Sequence, residues 1–269
     1  MKRALLITLL LLTGLPNLTG LTVSAAAQTR AEILRERLMD PADRSVFVAA
    51  HRGAWREAPE NSLEAIEKAI EMGVEIVEID VRKTLAGELI LHHNPILFRP
   101  KGAPTLEEAL LAAKGRVLIN LDKAFGYFNE VMEIAERTGT VEQIIIKSSR
   151  RAHDVKKVLG PFEGRVIFMP IINLNSGGAL AKVEEYVQML DPVIYELTFC
   201  SDSNPVITIV RARLAGRSRI WYNSLWPSLC GGHDDARPLD EGIGWLIDNG
   251  AGAIQTDNPR QMTEYLKIR

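Results

Sequence analysis

Two histidines, an arginine and a pair of carboxylates gather at element ends within one stretch, residues 46–95, VFVAAHRGAWREAPENSLEAIEKAIEMGVEIVEIDVRKTLAGELILHHNP. The apolar run VFVAA suits a buried strand, which puts His51 and Arg52 at its carboxyl end, where Gly53 lets the backbone turn. VEIVEIDV reads as a second buried strand, and its alternation places Glu78 and Asp80 on one face. Two carboxylates side by side repel each other. A cation between them is the usual remedy, and oxygen-only ligands favour magnesium, calcium or manganese. After a turn at Leu85-Ala86-Gly87, the run ELILHH returns toward the same end and delivers His93. Between the strands, Asn61 with Glu64 three residues on reads as a helix N-cap and its capping-box partner, and the helix ends at Gly73.

The order and spacing of His51-Arg52-Gly53, Pro59-Glu60-Asn61-Ser62, Glu78-Ile79-Asp80 and His93-Asn94-Pro95 resemble the N-terminal signature of the glycerophosphodiester phosphodiesterase family. The resemblance implies a (β/α)8 barrel that hydrolyses phosphodiesters with a divalent cation, magnesium or calcium, and two histidines. It implies His51 and His93 as the catalytic pair and Glu78 and Asp80 as metal ligands. Where the family has His-Asp, this chain has His93-Asn94. Further on, RVLINLDK offers Asp122 in place of the family's glutamate, and the kept carboxylate extends the metal role to it. The family's lysine two residues later is Ala124 here, which leaves Lys123 or Lys147 to supply that charge to the phosphate. Arg52 would grip another phosphate oxygen through its planar fork. Glu60 is a candidate for positioning the metal or its water, against a plain loop hydrogen bond. Glu196 is a candidate for touching the substrate, against an ordinary paired core carboxylate. Trp221 is a further substrate-side candidate.

Each of these residues alone has a structural explanation: a hydrogen-bonded histidine, salt-bridged barrel carboxylates, a surface arginine. Three carboxylates and two histidines on one face are costly to bury without a use. Two other classes remain. One is a metal-dependent barrel lyase or isomerase, which wants a further inward base. The other is a non-catalytic phosphate-ester binding barrel, to which the Asn94 and Asp122-Lys123 departures point.

The elements that must position these residues alternate along the chain. VFVAA, VEIVEID, RVLINLD, EQIIIKS, RVIFMPI, PVIYELT, RIWYNSL and AGAIQTD read as strands with helical stretches between them, which predicts a single-domain (β/α)8 TIM barrel over residues 45–269. A doubly wound sheet would want a Gly-rich phosphate loop, and neither GxGxxG nor GxxxxGK[ST] occurs. ELILHH is extra and reads as a hairpin excursion after the second strand. Residues 28–44 contain a lead-in helix. Residues 1–27 read as a cleavable signal peptide, with Lys2 and Arg3, an apolar centre and the small-residue end SAAA, so the expectation is a secreted or periplasmic protein with no membrane anchor after processing. With 269 residues, a net charge of −2 and 46% hydrophobic residues, the chain can bury a large core and has no basic excess for nucleic acid; the family resemblance implies a small-molecule phosphodiester as the partner. Export makes a Cys200–Cys230 disulfide chemically possible. The loop at 225–238 reads as a rim, with His233, Asp234 and Asp235 solvated rather than binding a second metal, and Asp257-Asn258-Pro259 reads as a structural helix start.

Overall fold

The computed structural model describes residues 27–230 and 237–269. The expected signal peptide, up to its last residue, and His233, Asp234 and Asp235 lie outside the described residues. Short runs rich in valine, isoleucine and leucine form β1 (Phe47–Ala50), β2 (Ile76–Lys83), β3 (Leu89–Leu91), β4 (Leu118–Asp122), β5 (Ile144–Ser148), β6 (Ile167–Asn173), β7 (Ile194–Thr198), β8 (Arg219–Asn223) and β9 (Ala251–Thr256). The helices are α1 (Arg30–Met39), α2 (Leu63–Glu71), α3 (Leu106–Ala113), α4 (Phe128–Thr138), α5 (Ala152–Leu159), α6 (Ala179–Met189), α7 (Val206–Leu214), α8 (Pro227–Cys230), α9 (Ile243–Asp248) and α10 (Pro259–Ile268). The strands follow the order β1-β9-β8-β7-β6-β5-β4-β2, and β1 also pairs with β2, so the parallel sheet closes on itself as a (β/α)8 barrel. β3 pairs antiparallel with β2, Val81 opposite Leu91, and forms the expected excursion.

Closure without an edge satisfies the strand backbones and gives each strand an inner and an outer face. The outward residues pack under the helices in one large core. The inward residues change character along every strand that builds the site. Ile76, Leu118, Ile145, Ile194, Trp221 and Ala253 pack with Leu34 and Leu38 of α1 as an apolar floor. Two residues further along the same strands stand Glu78, Asn120, Lys147, Glu196, Asn223 and Gln255, all buried. A step of two residues keeps a side chain on the same face, so the floor passes directly into a polar layer.

Helix α1 closes the opposite end. Thr29 and Glu32 form its capping box, and Arg219 on β8 is drawn down to it. The Arg219 guanidinium donates to the carbonyls of Leu38 (3.2 Å), Ser45 (2.7 Å) and Arg37 (2.7 Å) and pairs with Asp43 at 3.2 Å. Truncating it would strand one buried and two part-buried carbonyls and part of the Asp43 charge. Arg219→Met is expected to cost about 3–5 kcal/mol, the range for breaking a buried ion pair, read as a lower urea midpoint with unchanged slope.

Candidate active site

Asp80 is the centre of the mouth, 1% exposed. Its Oδ2 accepts from Asn61 Nδ2 at 2.9 Å and faces Arg52 Nε at 3.4 Å. Its Oδ1 accepts from Lys123 Nζ, and its own N–H donates to Asn61 Oδ1 at 2.9 Å. Four non-glycine described residues have left-handed backbone, and three are these partners: Arg52 (φ 53), Asn61 (φ 56) and Lys123 (φ 60). Such conformations cost about 1 kcal/mol or more each and persist only where the surroundings enforce them. The turn after β1 is equally constrained at Gly53, where φ is 75 and a Cβ would lie 2.7 Å from the backbone of Ala65.

Glu78 lies one step lower and accepts the Arg52 backbone N–H at 2.8 Å. Burial, partly offset by His51, and then the charges of Asp80 and Asp122 push its carboxyl from 4.5 up to about 7. For Asp122, burial works the other way, yet Lys147 and Lys123 hold the carboxyl well below its ordinary range. Lys123 Nζ is 3.0 Å from Asp122 Oδ2, and Lys147 Nζ is 3.6 Å from Oδ1. Lys147 also meets Glu196 at 3.1 Å. Burial disfavours its charge, but Asp122, Glu196 and Glu78 outweigh that and raise its pKa. Asn223 Nδ2 fixes the other oxygen of Glu196 at 2.9 Å.

Ligand atoms of Glu78, Asp80 and Asp122 all come within 4.8 Å of one another. An all-oxygen set of this kind suits a hard divalent cation. Beside it, fully buried Asn120 stands in register with Glu78, and neither of its amide atoms has a protein partner. An orphaned amide next to three carboxylates fits a site that takes a cation with its water.

The histidines are oriented by oxygen acceptors. His51 Nδ1 donates to Asp257 Oδ1 at 2.7 Å, and Trp55 Nε1 donates to the same oxygen at 2.6 Å. Although burial pushes the other way, these bonds hold Asp257 below the usual carboxylate range. His93 Nδ1 donates to Asn94 Oδ1 at 3.0 Å, so the amide that replaces an aspartate still orients the ring. With Nδ1 committed in both rings, Nε2 is the nitrogen left for proton transfer. His93 is tied to the rim through its carbonyl, which accepts from Arg82 at 2.8 Å, while the backbone N–H of His92 donates to the Asp80 carbonyl at 3.0 Å.

The structure corrects some expectations and decides between alternatives in others. The N-cap of α2 is Ser62, whose side chain accepts from the Ala65 N–H; Asn61 is released to hold Asp80 from both ends. Asp257 does not cap α10: Asn258 is the N-cap residue, and Asp257 orients His51. Glu60 takes the loop alternative, pairing with Arg52 Nη1 at 2.5 Å. Glu196 faces inward and is paired, as an ordinary buried carboxylate would be. Trp221 is fully buried in the apolar floor, donating to Asn223 Oδ1 at 3.2 Å, so it lies beneath the mouth. Trp226, 42% exposed, stands at the mouth instead, its ring 6.1 Å from that of His51, and Trp55 shares Asp257 Oδ1 with His51. Cys200 and Cys230 are free thiols, one exposed and one buried.

Fold and site together define a (β/α)8 barrel with a carboxylate cluster and an aspartate-held histidine at the carboxyl ends of its strands. Residues 51–105 match the model of the glycerophosphoryl diester phosphodiesterase family, and residues 168–266 match a second model described as a domain of unknown function. A glycerophosphodiester phosphodiesterase from Caldanaerobacter subterraneus is 38% identical over 53 residues, 20% of this chain and 22% of that protein. The chain spans about a fifth of the length of the curated relatives it matches. A glycerophosphoryl diester phosphodiesterase structure from Parabacteroides distasonis is similar at a TM-score of 0.67 and 17% identity, covering 88% of this chain and 92% of that one. A phosphodiesterase from Oleispira antarctica, solved with its product sn-glycerol-3-phosphate, is similar at 0.60 and 16% identity, covering 86% and 100%. The family resemblance is therefore to the glycerophosphodiester phosphodiesterases, carried in sequence by the signature segment and in fold by the whole barrel.

The position of Glu78 makes stability depend on pH. Its folded pKa, about 7, lies above its ordinary 4.5, so the folded state holds this proton more tightly than the unfolded chain does. The resulting stabilisation is full below the unfolded value and is lost as pH rises through the folded one. Asp122, shifted downward, acts in the opposite sense but at lower pH. Cation-free protein should therefore melt at falling temperatures between about pH 5 and pH 8, and Glu78→Gln should flatten that slope. Parallel slopes for the two proteins would show that Glu78 is already ionised.

Proposed function

We propose that this barrel is a metal-dependent phosphodiester hydrolase that cleaves glycerophosphodiesters to an alcohol and a phosphomonoester of the glycerol 3-phosphate type. The observation that carries the reading is the convergence of Glu78, Asp80 and Asp122 within 4.8 Å, on the barrel that His51 and Arg52 overlook. The family match over residues 51–105 supports the reaction class, and the product in the Oleispira structure supports the substrate class. Glu78, Asp80 and Asp122 would hold magnesium or calcium, which when bound withdraws charge from a phosphate oxygen. Arg52 supplies positive charge to the phosphate, while Lys147 is committed to Glu196 and Asp122. His51 and His93, each with Nδ1 committed to an acceptor, use Nε2 for proton transfer, one taking a proton from the attacking hydroxyl or water and the other protonating the leaving alkoxide. Asp257 and Trp55 position His51. The same reading includes export, on the strength of Lys2, Arg3, the apolar run and SAAA.

One observation favours a second reading. Lys123 sits on Asp80 and Asp122, which would suit a phosphate-ester binding barrel without turnover. Hydrolysis of bis(p-nitrophenyl) phosphate separates the two: the enzyme should turn it over, stop after chelation and recover with added magnesium or calcium. Activity that survives verified metal removal would overturn the metal-dependent reading. His51→Ala and His93→Ala should each lose about 10²–10⁴-fold in rate with the fold intact, while His92→Ala keeps most activity. Asp257→Asn should lower kcat more than it changes KM, because the imidazole loses its orienting charge.

A further inference from the structure

Lys123 occupies the place where two roles conflict. Its ammonium contacts Asp80 Oδ1 and lies 3.0 Å from Asp122 Oδ2. It thus spans two of the three carboxylates whose ligand atoms come within 4.8 Å of one another. An oxygen lone pair given to an ammonium is not free for a cation, and the two positive charges repel at such range. Lys123 makes its ion pairs with Asp80 and Asp122 and none with the third carboxylate, Glu78, and Asn120 in register with Glu78 keeps an unpartnered amide.

The surroundings allow Lys123 to leave. Its side chain is 24% exposed, against 7% for Lys147. It springs from a left-handed residue at the head of the short turn Ala124–Tyr127. When it swings out, Asp80 retains Asn61 and Arg52 on Oδ2, and Asp122 retains Lys147. The carboxylates therefore stay anchored while Asp80 Oδ1 and Asp122 Oδ2 become free. Lys147 has no such exit, being buried between Asp122 and Glu196.

We propose that Lys123 is a displaceable internal counter-ion. It fills part of the cation seat until a divalent cation displaces it, and the freed ammonium then pairs with the substrate phosphate. Cation and phosphate thereby strengthen each other's binding, by the same factor in both directions. The inference rests on the cation reading given under Proposed function.

Calorimetric titration of the full-length protein with manganese, with and without inorganic phosphate, tests it directly. The wild-type protein should bind the cation about tenfold more tightly when phosphate is saturating, a common size for such coupling. Lys123→Met should bind the cation about tenfold more tightly than wild type without phosphate, and phosphate should then change that affinity little. Lys123→Gly serves as the second variant because glycine accepts the left-handed backbone at no strain, so it removes the ammonium without endangering the turn. Unchanged or weaker cation binding in Lys123→Gly, in a protein whose wild type does bind manganese, overturns the counter-ion and leaves the cation reading standing. Failure of wild type and both variants to bind any divalent cation removes both. Binding by the variants alone supports the counter-ion, with the ammonium then outcompeting the cation in the wild type.

Discussion

A carboxylate as buried as Asp80 is tenable only if its charge is met on every side, since an unpaired ion in the interior costs several kcal/mol. The partners come from two loops: Arg52 and Asn61 from the connection between β1 and α2, Lys123 from the turn after β4. Each must turn back over the mouth to reach it, and each does so on left-handed backbone. The same turn aims the Arg52 N–H at Glu78 and the Gly53 N–H at the Glu78 carbonyl. Removing the charge of Asp80 would thus take one shared partner from three strained turns, leaving them to their remaining bonds, such as Arg52 N–H to Glu78 and Lys123 to Asp122. Rim geometry, carboxylate spacing and the entry to α2 all descend from satisfying one side chain.

The barrel below sets how much charge the mouth can hold. Lys147 and Glu196 neutralise each other across the interior, and Asn223 links Glu196 to Trp221 in the floor. Glu78 is raised toward 7 by burial and by the charges of Asp80 and Asp122, whereas two lysines hold Asp122 well below its ordinary range. Neighbouring carboxylates are thereby given different proton affinities by their environment, which is a common way for a site to combine charge with proton chemistry.

The fold was legible because each barrel strand is a short apolar run followed by a helical stretch, and the register follows from alternation. Glu78, Asp80 and Asp122 were legible for the same reason, each lying two residues beyond an inward apolar or polar neighbour on its strand. What escaped was set by contacts distant in sequence. His51 and Asp257 are 206 positions apart, and nothing local to Asp257-Asn258-Pro259 distinguishes an orienting carboxylate from a cap. Asn61 and Ser62 are both competent caps, and only the approach of Asp80 decides between them. Trp221 and Trp226 differ by five positions, but one lies on the inward face of β8 and the other beyond its end. The C-terminal half, which matches a different family model from the signature segment, supplies Glu196, Asn223 and Asp257, so the signature alone describes only one side of the mouth.

The floor plug has a kinetic meaning. Arg219 bonds to Arg37 across 182 positions of sequence, and β1 finds its second neighbour only in β9. Helix α1 is therefore the first described helix to be synthesised and one of the last that can dock. Contacts of such high order slow the approach to the folded state. Until the last strands have emerged, the earlier ones lack both a closed ring and a covered floor, so resistance to proteases should arrive in one late step rather than strand by strand.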